Sequence, residues 1–261
     1  MSFNFPLGVI RLRHIYLLLA LALLSGMPMH AQSSFTCPAA TEDMLKYFVM
    51  AYPNRLTHYM GPGNANPVYT TVEPELGAKY AAAGGFLWIK SSAGYPWDVK
   101  VFDQNYVYDR STELNWNDPT SFKRFTSDLP MSHRCVTVGA AGKTIYLTSS
   151  QSSYGFYSSC QKTQTANLGY VRNEITAAAV RSTGGNLGSV KTRYFNYYYG
   201  CNSSYAACTD EEVYSLGYQV GLYKWQHYQK QSGKFVLVQT SNINEFDEGE
   251  ATPYLPCSSS Y

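Results

Sequence analysis

The stretch that decides the fold is residues 213–242, VYSLGYQVGLYKWQHYQKQSGKFVLVQTSN. An aromatic run passes through Tyr218, Trp225 and Tyr228, and it is followed by the β-prone run 235–238. Aromatic and β-branched residues favour strands, and glycine adopts the positive φ that a tight turn requires. The pattern therefore predicts a β-hairpin with Gly233 in its turn.

Similar strand patterns recur along most of the remaining chain. Apolar and aromatic residues alternate with polar ones or form short β-prone runs in segments 85–89, 97–102, 106–108, 136–138, 144–148, 154–160, 169–175 and 190–199. The glycine-rich segment 183–188 predicts a further turn. Because the strands are short and closely spaced, we expect a mainly β fold, a single antiparallel sandwich or barrel-like domain.

The evidence for helix is concentrated near residue 45. Thr41 can cap a helix, Glu42 and Asp43 suit its positive end, and apolar residues follow at helical spacing up to Ala51. This pattern predicts a short amphipathic helix at residues 42–51. Segment 115–119 is predicted to be a loop, and segment 121–126 a helical turn.

Residues 1–31 have the pattern of a secretory signal peptide. Arg11 and Arg13 precede an apolar run at 15–24, and a stretch of small residues ends at Ala31, with Met29 an imperfect match to the usual cleavage motif. The apolar run is too short to span a bilayer. We expect cleavage after Ala31, release of a β-rich domain of residues 32–261, and a secreted or periplasmic location.

The predicted mature chain is formally neutral. Removal of Arg11 and Arg13 leaves 18 basic residues to balance 18 acidic ones. A neutral chain has no general field that would attract it to nucleic acid or anionic lipid. We therefore predict no nucleic-acid partner and no membrane span, and the sequence leaves the oligomeric state open.

All six cysteines lie in the predicted mature chain, where export permits disulfides. Cys201 and Cys208 flank a short polar loop, which favours pairing between them. Six cysteines allow 15 connectivities, and spacing only suggests the rest. The predicted remaining pairs are Cys135–Cys160, across a possible hairpin, and Cys37–Cys257, between the two ends of the chain.

The densest mixture of acidic and aromatic residues lies between positions 88 and 118. Glycosidases use two carboxylates on either side of the scissile bond, and the candidate catalytic carboxylates are Asp98, Asp103, Asp109 and Glu113. Aromatic rings stack on sugars while polar side chains bind their hydroxyl groups. The candidate ligand-binding residues are Tyr95, Trp97, Asn115, Trp116, Asn117 and Asp118. For each ring, packing in the core is the alternative.

Other catalytic motifs are missing from the sequence. It contains no HExxH, GxSxG, P-loop or GxGxxG motif, and His58, His133 and His227 are isolated from one another. Residues 103–109 resemble the start of a calcium loop, but Tyr108 stands where the turn requires glycine and Leu114 where the loop requires glutamate. We predict no cofactor and no metal.

Composition and motifs together favour an exported binding or surface protein with carbohydrate as the ligand. The 24 tyrosines of the full chain suit both strand surfaces and ligand-stacking faces. One alternative is a secreted glycosidase-like hydrolase that uses the carboxylates named above. The other is a structural or adhesive envelope protein without a small-molecule site. The sequence does not decide whether the protein is an enzyme.

Overall fold

A computed structural model describes residues 35–51, 54–60, 68–73, 86–90, 96–110, 112–115, 118–248 and 257. Its regular elements lie in the compact unit Cys37–Tyr261. The predicted signal peptide at 1–31 lies outside the described residues. None of the helices in these ranges has the length and apolar character needed to cross a membrane.

Strands account for most of the described chain. Their bounds are β1 Thr41–Asp43, β2 Asn54–Met60, β3 Val68–Glu73, β4 Phe86–Lys90, β5 Pro96–Phe102, β6 Tyr106–Asp109, β7 Thr112–Asn115, β8 Asp118–Phe125, β9 Leu129–His133, β10 Cys135–Thr137, β11 Ile145–Leu147, β12 Ser153–Ser158, β13 Gln161–Asn167, β14 Tyr170–Ile175, β15 Ala179–Ser182, β16 Ser189–Cys201, β17 Asp210–Gly217, β18 Gly221–Gln231 and β19 Lys234–Glu248. The helix α1 spans Leu45–Phe48, and a single 3₁₀ turn spans Gly185–Leu187.

The strands form three antiparallel sheets. The largest one, counted over the described residues, has thirteen strands in the order β11-β14-β16-β17-β18-β19-β2-β3-β4-β5-β6-β9, with β15 paired to β16. Strands β13-β12-β8-β7 form a second sheet, and β1 pairs with β10. The prediction of a mainly β, antiparallel fold with a short N-terminal helix and disulfides is confirmed.

The predicted hairpin is present, with one addition. Gly233 has a φ of 83° in the turn between β18 and β19. The aromatic run before it is not one strand, because the chain turns at residues 218–220 between β17 and β18. Gln219 lies in this turn with a φ of 60°; its backbone amide donates to the Lys46 carbonyl in α1, and its carbonyl accepts from the amide of Ala51, after the helix. Contact with the helix thus fixes a turn that lacks glycine at its tip.

Two predictions of local helix are wrong in extent or type. The helix predicted at 42–51 is limited to Leu45–Phe48, because residues 41–43 pair as a strand with β10 and Val49 is extended. Segment 121–126, predicted as a helical turn, lies mostly in β8, which pairs with β7 and β12. In both segments, long-range strand pairing outweighs a weak local preference.

The short helix packs on one face of the large sheet. Phe48 contacts Phe195 of β16 with their ring centroids 5.6 Å apart, and Tyr47 contacts Tyr218 at 5.4 Å. Both pairs have the edge-to-face arrangement that aromatic rings favour. The face of β16 that carries Phe195 is therefore the core face at this end of the sheet.

A buried ion pair joins β1 to this core face. Arg193 of β16 is fully buried, and its guanidinium donates to the Glu42 carboxylate and to the backbone carbonyls of Thr137, Ala140 and Thr176. Lys191 also binds the Glu42 carboxylate. Every donor of Arg193 thus has an acceptor nearby, which is the condition for tolerating a buried charge.

The stabilisation from Glu42 is expected to depend on pH. Burial raises the pKa of Glu42, but hydrogen bonds from Lys191 and Arg193 outweigh burial and hold the pKa below its ordinary value. A carboxyl group whose pKa is lower in the folded state stabilises the fold above its unfolded pKa, and this contribution is lost as pH falls through the folded pKa. The difference in unfolding free energy between the wild type and Glu42→Gln should therefore shrink below about pH 4. Urea denaturation at neutral and acidic pH measures it, and a constant difference would contradict the assignment.

Three disulfides involve all six cysteines, and they pair Cys37 with Cys135, Cys160 with Cys257, and Cys201 with Cys208. The predicted Cys201–Cys208 pair is confirmed. The predicted Cys135–Cys160 and Cys37–Cys257 pairs are wrong. β1 pairs with β10, which contains Cys135, and a turn between Pro38 and Thr41 precedes β1, so Cys37 lies beside Cys135. Disulfides persist in oxidising compartments, so this is an exported protein with a secreted or periplasmic location.

Candidate ligand-binding site

Most side chains of the predicted site lie outside the described part of the structure. Tyr95, Trp116 and Asn117 lie outside the described residues, so the proposed role of Trp116 stays a prediction. For four further residues only the backbone is described. Trp97 and Asp98 lie in β5 of the large sheet, whereas Glu113 and Asn115 lie in β7 of the four-stranded sheet.

The two candidate carboxylates with described side chains do not form a pair. Asp103 accepts hydrogen bonds from the backbone amides of Asn105 and Tyr106 and from the Tyr108 hydroxyl, which makes it a turn residue. Asp109 forms an ion pair with Lys100 of the adjacent strand β5, and its Oδ1 lies 3.5 Å from the Lys100 Nζ. Because side chains alternate along β6, Tyr108 and Asp109 point to opposite faces. The structure therefore does not bring Asp103 and Asp109 to one scissile bond.

The same contacts explain the resemblance of residues 103–109 to a calcium loop. Both oxygens of Asp103 are engaged by protein donors, and the rest of the segment continues as strand β6. Over the described ranges, no group of three or more His, Cys, Asp or Glu side chains could hold a metal ion.

Asp118, another predicted ligand-binding residue, is engaged by its neighbours. Its carboxylate accepts hydrogen bonds from the hydroxyls of Thr120 and Ser121, each at 2.6 Å. These bonds lower the pKa of Asp118 below its ordinary value. Asp118 thus holds the start of β8 in place.

A different set of residues forms a continuous surface feature on the large sheet. Cross-strand partners in six neighbouring strands lie directly opposite one another, so their side chains share one face. We call this row the aromatic rank, and it consists of Tyr146, Arg172, Tyr198, Glu211, Tyr228 and Leu237. Tyrosines alternate with charged residues along it, and a leucine ends it.

The spacing of the aromatic rank follows from sheet geometry. Neighbouring strands lie about 4.8 Å apart, so tyrosines two strands apart are separated by about 10 Å and the whole rank spans about 24 Å. Both ends are open to solvent, since Tyr146 is 55% exposed and Leu237 is 45% exposed. The residues between them are half-buried.

Contacts within the aromatic rank fix its central side chains. The Arg172 guanidinium lies 4.2 Å from the centre of the Tyr198 ring and donates to the backbone carbonyl of Tyr205. Burial and a hydrogen bond to Glu211 raise the pKa of Tyr198 to about 12, so the phenol stays protonated at neutral pH. Burial and the charge of Glu211 also raise the pKa of Tyr228. The centre of the rank is therefore an ordered array of rings and charges.

Aromatic side chains next to the aromatic rank extend its apolar surface. Tyr205 packs against Tyr146 with their ring centroids 4.8 Å apart, and Phe235 lies 6.1 Å from Tyr198. Tyr205 lies in the loop closed by the Cys201–Cys208 disulfide, which therefore holds an aromatic ring beside the rank.

The sequence predicts some of the residues of the aromatic rank. Alternation in each strand predicts which residues share a face, so Tyr198 and Glu211 are identifiable as outward candidates once their strands are assigned. Their alignment into one rank depends on strand order and on bulges in three of the five pairings concerned. Neither the strand order nor the positions of the bulges can be predicted from residue spacing in the sequence.

The chain has a weak structural similarity to a known protein and no match to a protein family. No protein-family model matches the chain, and no curated protein matches it. Among solved structures, the chain is similar to a Bacteroides fragilis protein described as exported and as having a YmcC-like fold, with 7% sequence identity and a TM-score of 0.33 over 77% of this chain and 99% of that one. A TM-score this low does not establish a common fold.

Proposed function

We propose that this exported protein binds carbohydrate and that an extended glycan lies along the aromatic rank. The observation that carries the proposal is the regular alternation of Tyr146, Tyr198 and Tyr228 with charged side chains across neighbouring strands. The separation of about 10 Å between successive tyrosines is close to the length of one disaccharide unit of an extended glycan.

The chemistry of the rank suits this ligand. Aromatic rings stack on the apolar faces of sugars, while Arg172 can donate to hydroxyl groups and Glu211 can accept from them. The side chains project from a hydrogen-bonded sheet, so little conformational entropy remains to be lost on binding. The two ends of the row, Tyr146 and Leu237, are also exposed, so a long chain can extend past them.

The number of carboxylates favours binding over hydrolysis at this surface. Glycoside hydrolysis canonically requires two carboxyl groups placed on either side of the scissile bond. Glu211 is the single carboxylate of the aromatic rank. The hydrolase alternative therefore gains no support from it.

The test uses Tyr146→Ala in the purified mature protein. We expect this change to weaken glycan binding by about 1–2 kcal/mol, a factor of about 5 to 30, because a stacking ring is lost. Thermal stability should hardly change, since Tyr146 is largely exposed. An array of immobilised glycans identifies the ligand, and titration calorimetry then measures its affinity for both proteins.

Tyr146→Phe is the matched control, because it keeps the ring and removes only the hydroxyl. Its affinity should stay close to that of the wild type. Equal affinity of the alanine variant for every bound glycan would remove the aromatic rank from the site. Absence of binding to any glycan would favour the structural or adhesive alternative.

A further inference from the structure

The core face of the same strands, which carries Phe195, also carries a row of residues with polar groups. Four cross-strand partners lie in one row from β14 to β18, and we call this row the Tyr197 rank. It consists of Asn173, Tyr197, Glu212 and His227. These residues alternate in sequence with those of the aromatic rank, so they point away from it.

Two buried polar atoms of the Tyr197 rank have no hydrogen-bond partner among the described residues. The Tyr197 side chain is only 8% exposed, and its hydroxyl makes no hydrogen bond to this part of the chain. Asn173 is also buried; its amide nitrogen donates to the Pro130 carbonyl at 2.7 Å, but its Oδ1 has no partner within the same ranges. Buried polar groups are nearly always satisfied, because leaving them unpaired is costly. Two such atoms lie on adjacent strands, where hydrogen-bond donors of a ligand would satisfy both.

Carboxylates border these atoms. Glu212 lies next to Tyr197 in the rank, and its Oε2 accepts hydrogen bonds from the Tyr214 hydroxyl at 2.5 Å and from Trp225 Nε1 at 2.8 Å. Asp210 is two residues away on the same strand face, and its Oδ1 lies 3.0 Å from His227 Nε2. Protein donors therefore hold both carboxylates in fixed positions.

The charges around Tyr197 favour a cation. Burial raises the pKa of Tyr197, and the negative charges of Glu212 and Asp109 raise it further, so the phenol stays neutral. Its oxygen and the Asn173 Oδ1 are then hydrogen-bond acceptors, next to a carboxylate. The rings of Tyr199 and Trp225 flank His227 in stacked arrangements, with centroid distances of 6.2 and 6.1 Å. Aromatic faces and carboxylates together stabilise organic cations.

We infer that the Tyr197 rank binds the primary ammonium group of a small organic ligand. An ammonium group has three N–H donors and no acceptor. These donors match the Asn173 Oδ1, the Tyr197 hydroxyl oxygen and the Glu212 carboxylate. A neutral alcohol of the same shape supplies a single donor and no charge, so it satisfies fewer of these acceptors.

The experiment compares benzylammonium with benzyl alcohol, which differ in the charged group and share the ring. We expect benzylammonium to bind the purified mature protein at least ten times more tightly than benzyl alcohol. Titration calorimetry, with chemical-shift changes as a second readout, measures both. Failure of benzylammonium to bind, or equal binding of the two probes, would overturn the inference.

Two variants locate the site. Glu212→Gln keeps the shape and removes the charge, and it should weaken benzylammonium binding at least tenfold. Tyr197→Phe should weaken binding several-fold and leave the melting temperature unchanged or raised, because the lost hydroxyl has no partner in the free protein. Glu174→Gln, which makes the same charge change on the opposite face of β14, is the control and should bind like the wild type. Wild-type affinity in Glu212→Gln would place the ammonium site elsewhere.

The result is independent of glycan binding, since the two ranks lie on opposite faces. Loss of glycan binding in Tyr146→Ala and loss of benzylammonium binding in Glu212→Gln test different surfaces. Either proposal can therefore fail without the other.

Discussion

Replacement of Arg193 with alanine is expected to destabilise the protein by about 3–5 kcal/mol, the cost of removing one partner from a buried ion pair. The change leaves the Glu42 carboxylate without its buried counter-charge. It also removes the hydrogen-bond donors that satisfy the Ala140 and Thr176 carbonyls. Urea denaturation followed by tyrosine and tryptophan fluorescence measures the loss.

Arg110→Ala is the matched control for this prediction. Arg110 also forms a two-point ion pair, with the carboxylate of Asp128 at 2.6 and 2.8 Å, but both side chains are partly exposed. Exposed pairs contribute at most about 1 kcal/mol, because water and salt screen them. Similar losses of unfolding free energy in the two variants would show that burial does not make the Arg193 ion pair more stabilising.

Removal of the Cys37–Cys135 disulfide by paired serine substitution should cost about 4–5 kcal/mol in the chain-entropy description. The two cysteines are separated by 98 positions, so the bond restricts a long loop in the unfolded chain. Cys201 and Cys208 are separated by 7 positions, and removing their bond should cost less, about 2–3 kcal/mol. Denaturation of both double variants under identical conditions gives the two values.

The prediction depends mainly on which disulfide causes the larger loss of unfolding free energy when it is removed. Native-state contacts also change when a disulfide is removed, and they affect both variants. A larger loss from the Cys201–Cys208 pair would mean that its loop contributes through packing, for example through the contact between Tyr205 and Tyr146, more than through chain entropy.

The sequence predicts correctly those turns and strands that are determined by interactions between nearby residues. The turn at Gly233 and the strand at Val190 were predictable because glycine geometry and side-chain alternation act over a few residues. Strand β13 has no such signal, because its sequence, QKTQTAN, is polar except for Ala166 and mostly exposed, so it shows no alternation of apolar and polar residues.

Properties that join distant segments were not predictable. The disulfide from Cys37 to Cys135 depends on the pairing of β1 with β10, and the burial of Arg193 depends on the same short strand. The residues next to Glu42 predict a helix end there, whereas its contact with Arg193 depends on residues far away in the sequence. The aromatic rank has the same origin, since only the order of the strands brings Tyr146 and Tyr228 into one row.

The connectivity of the disulfides has a consequence for biogenesis. A chain that leaves the cytoplasm N-terminus first presents Cys37 and Cys135 to the oxidising side before any other cysteine, so their native bond can form without competition. Cys201 and Cys208 then reach the oxidising side before Cys257, which is the native partner of Cys160. If Cys201 and Cys208 join each other first, Cys160 reaches Cys257 without a later thiol–disulfide exchange. The short loop between Cys201 and Cys208 thus removes two competing thiols before Cys257 is exported.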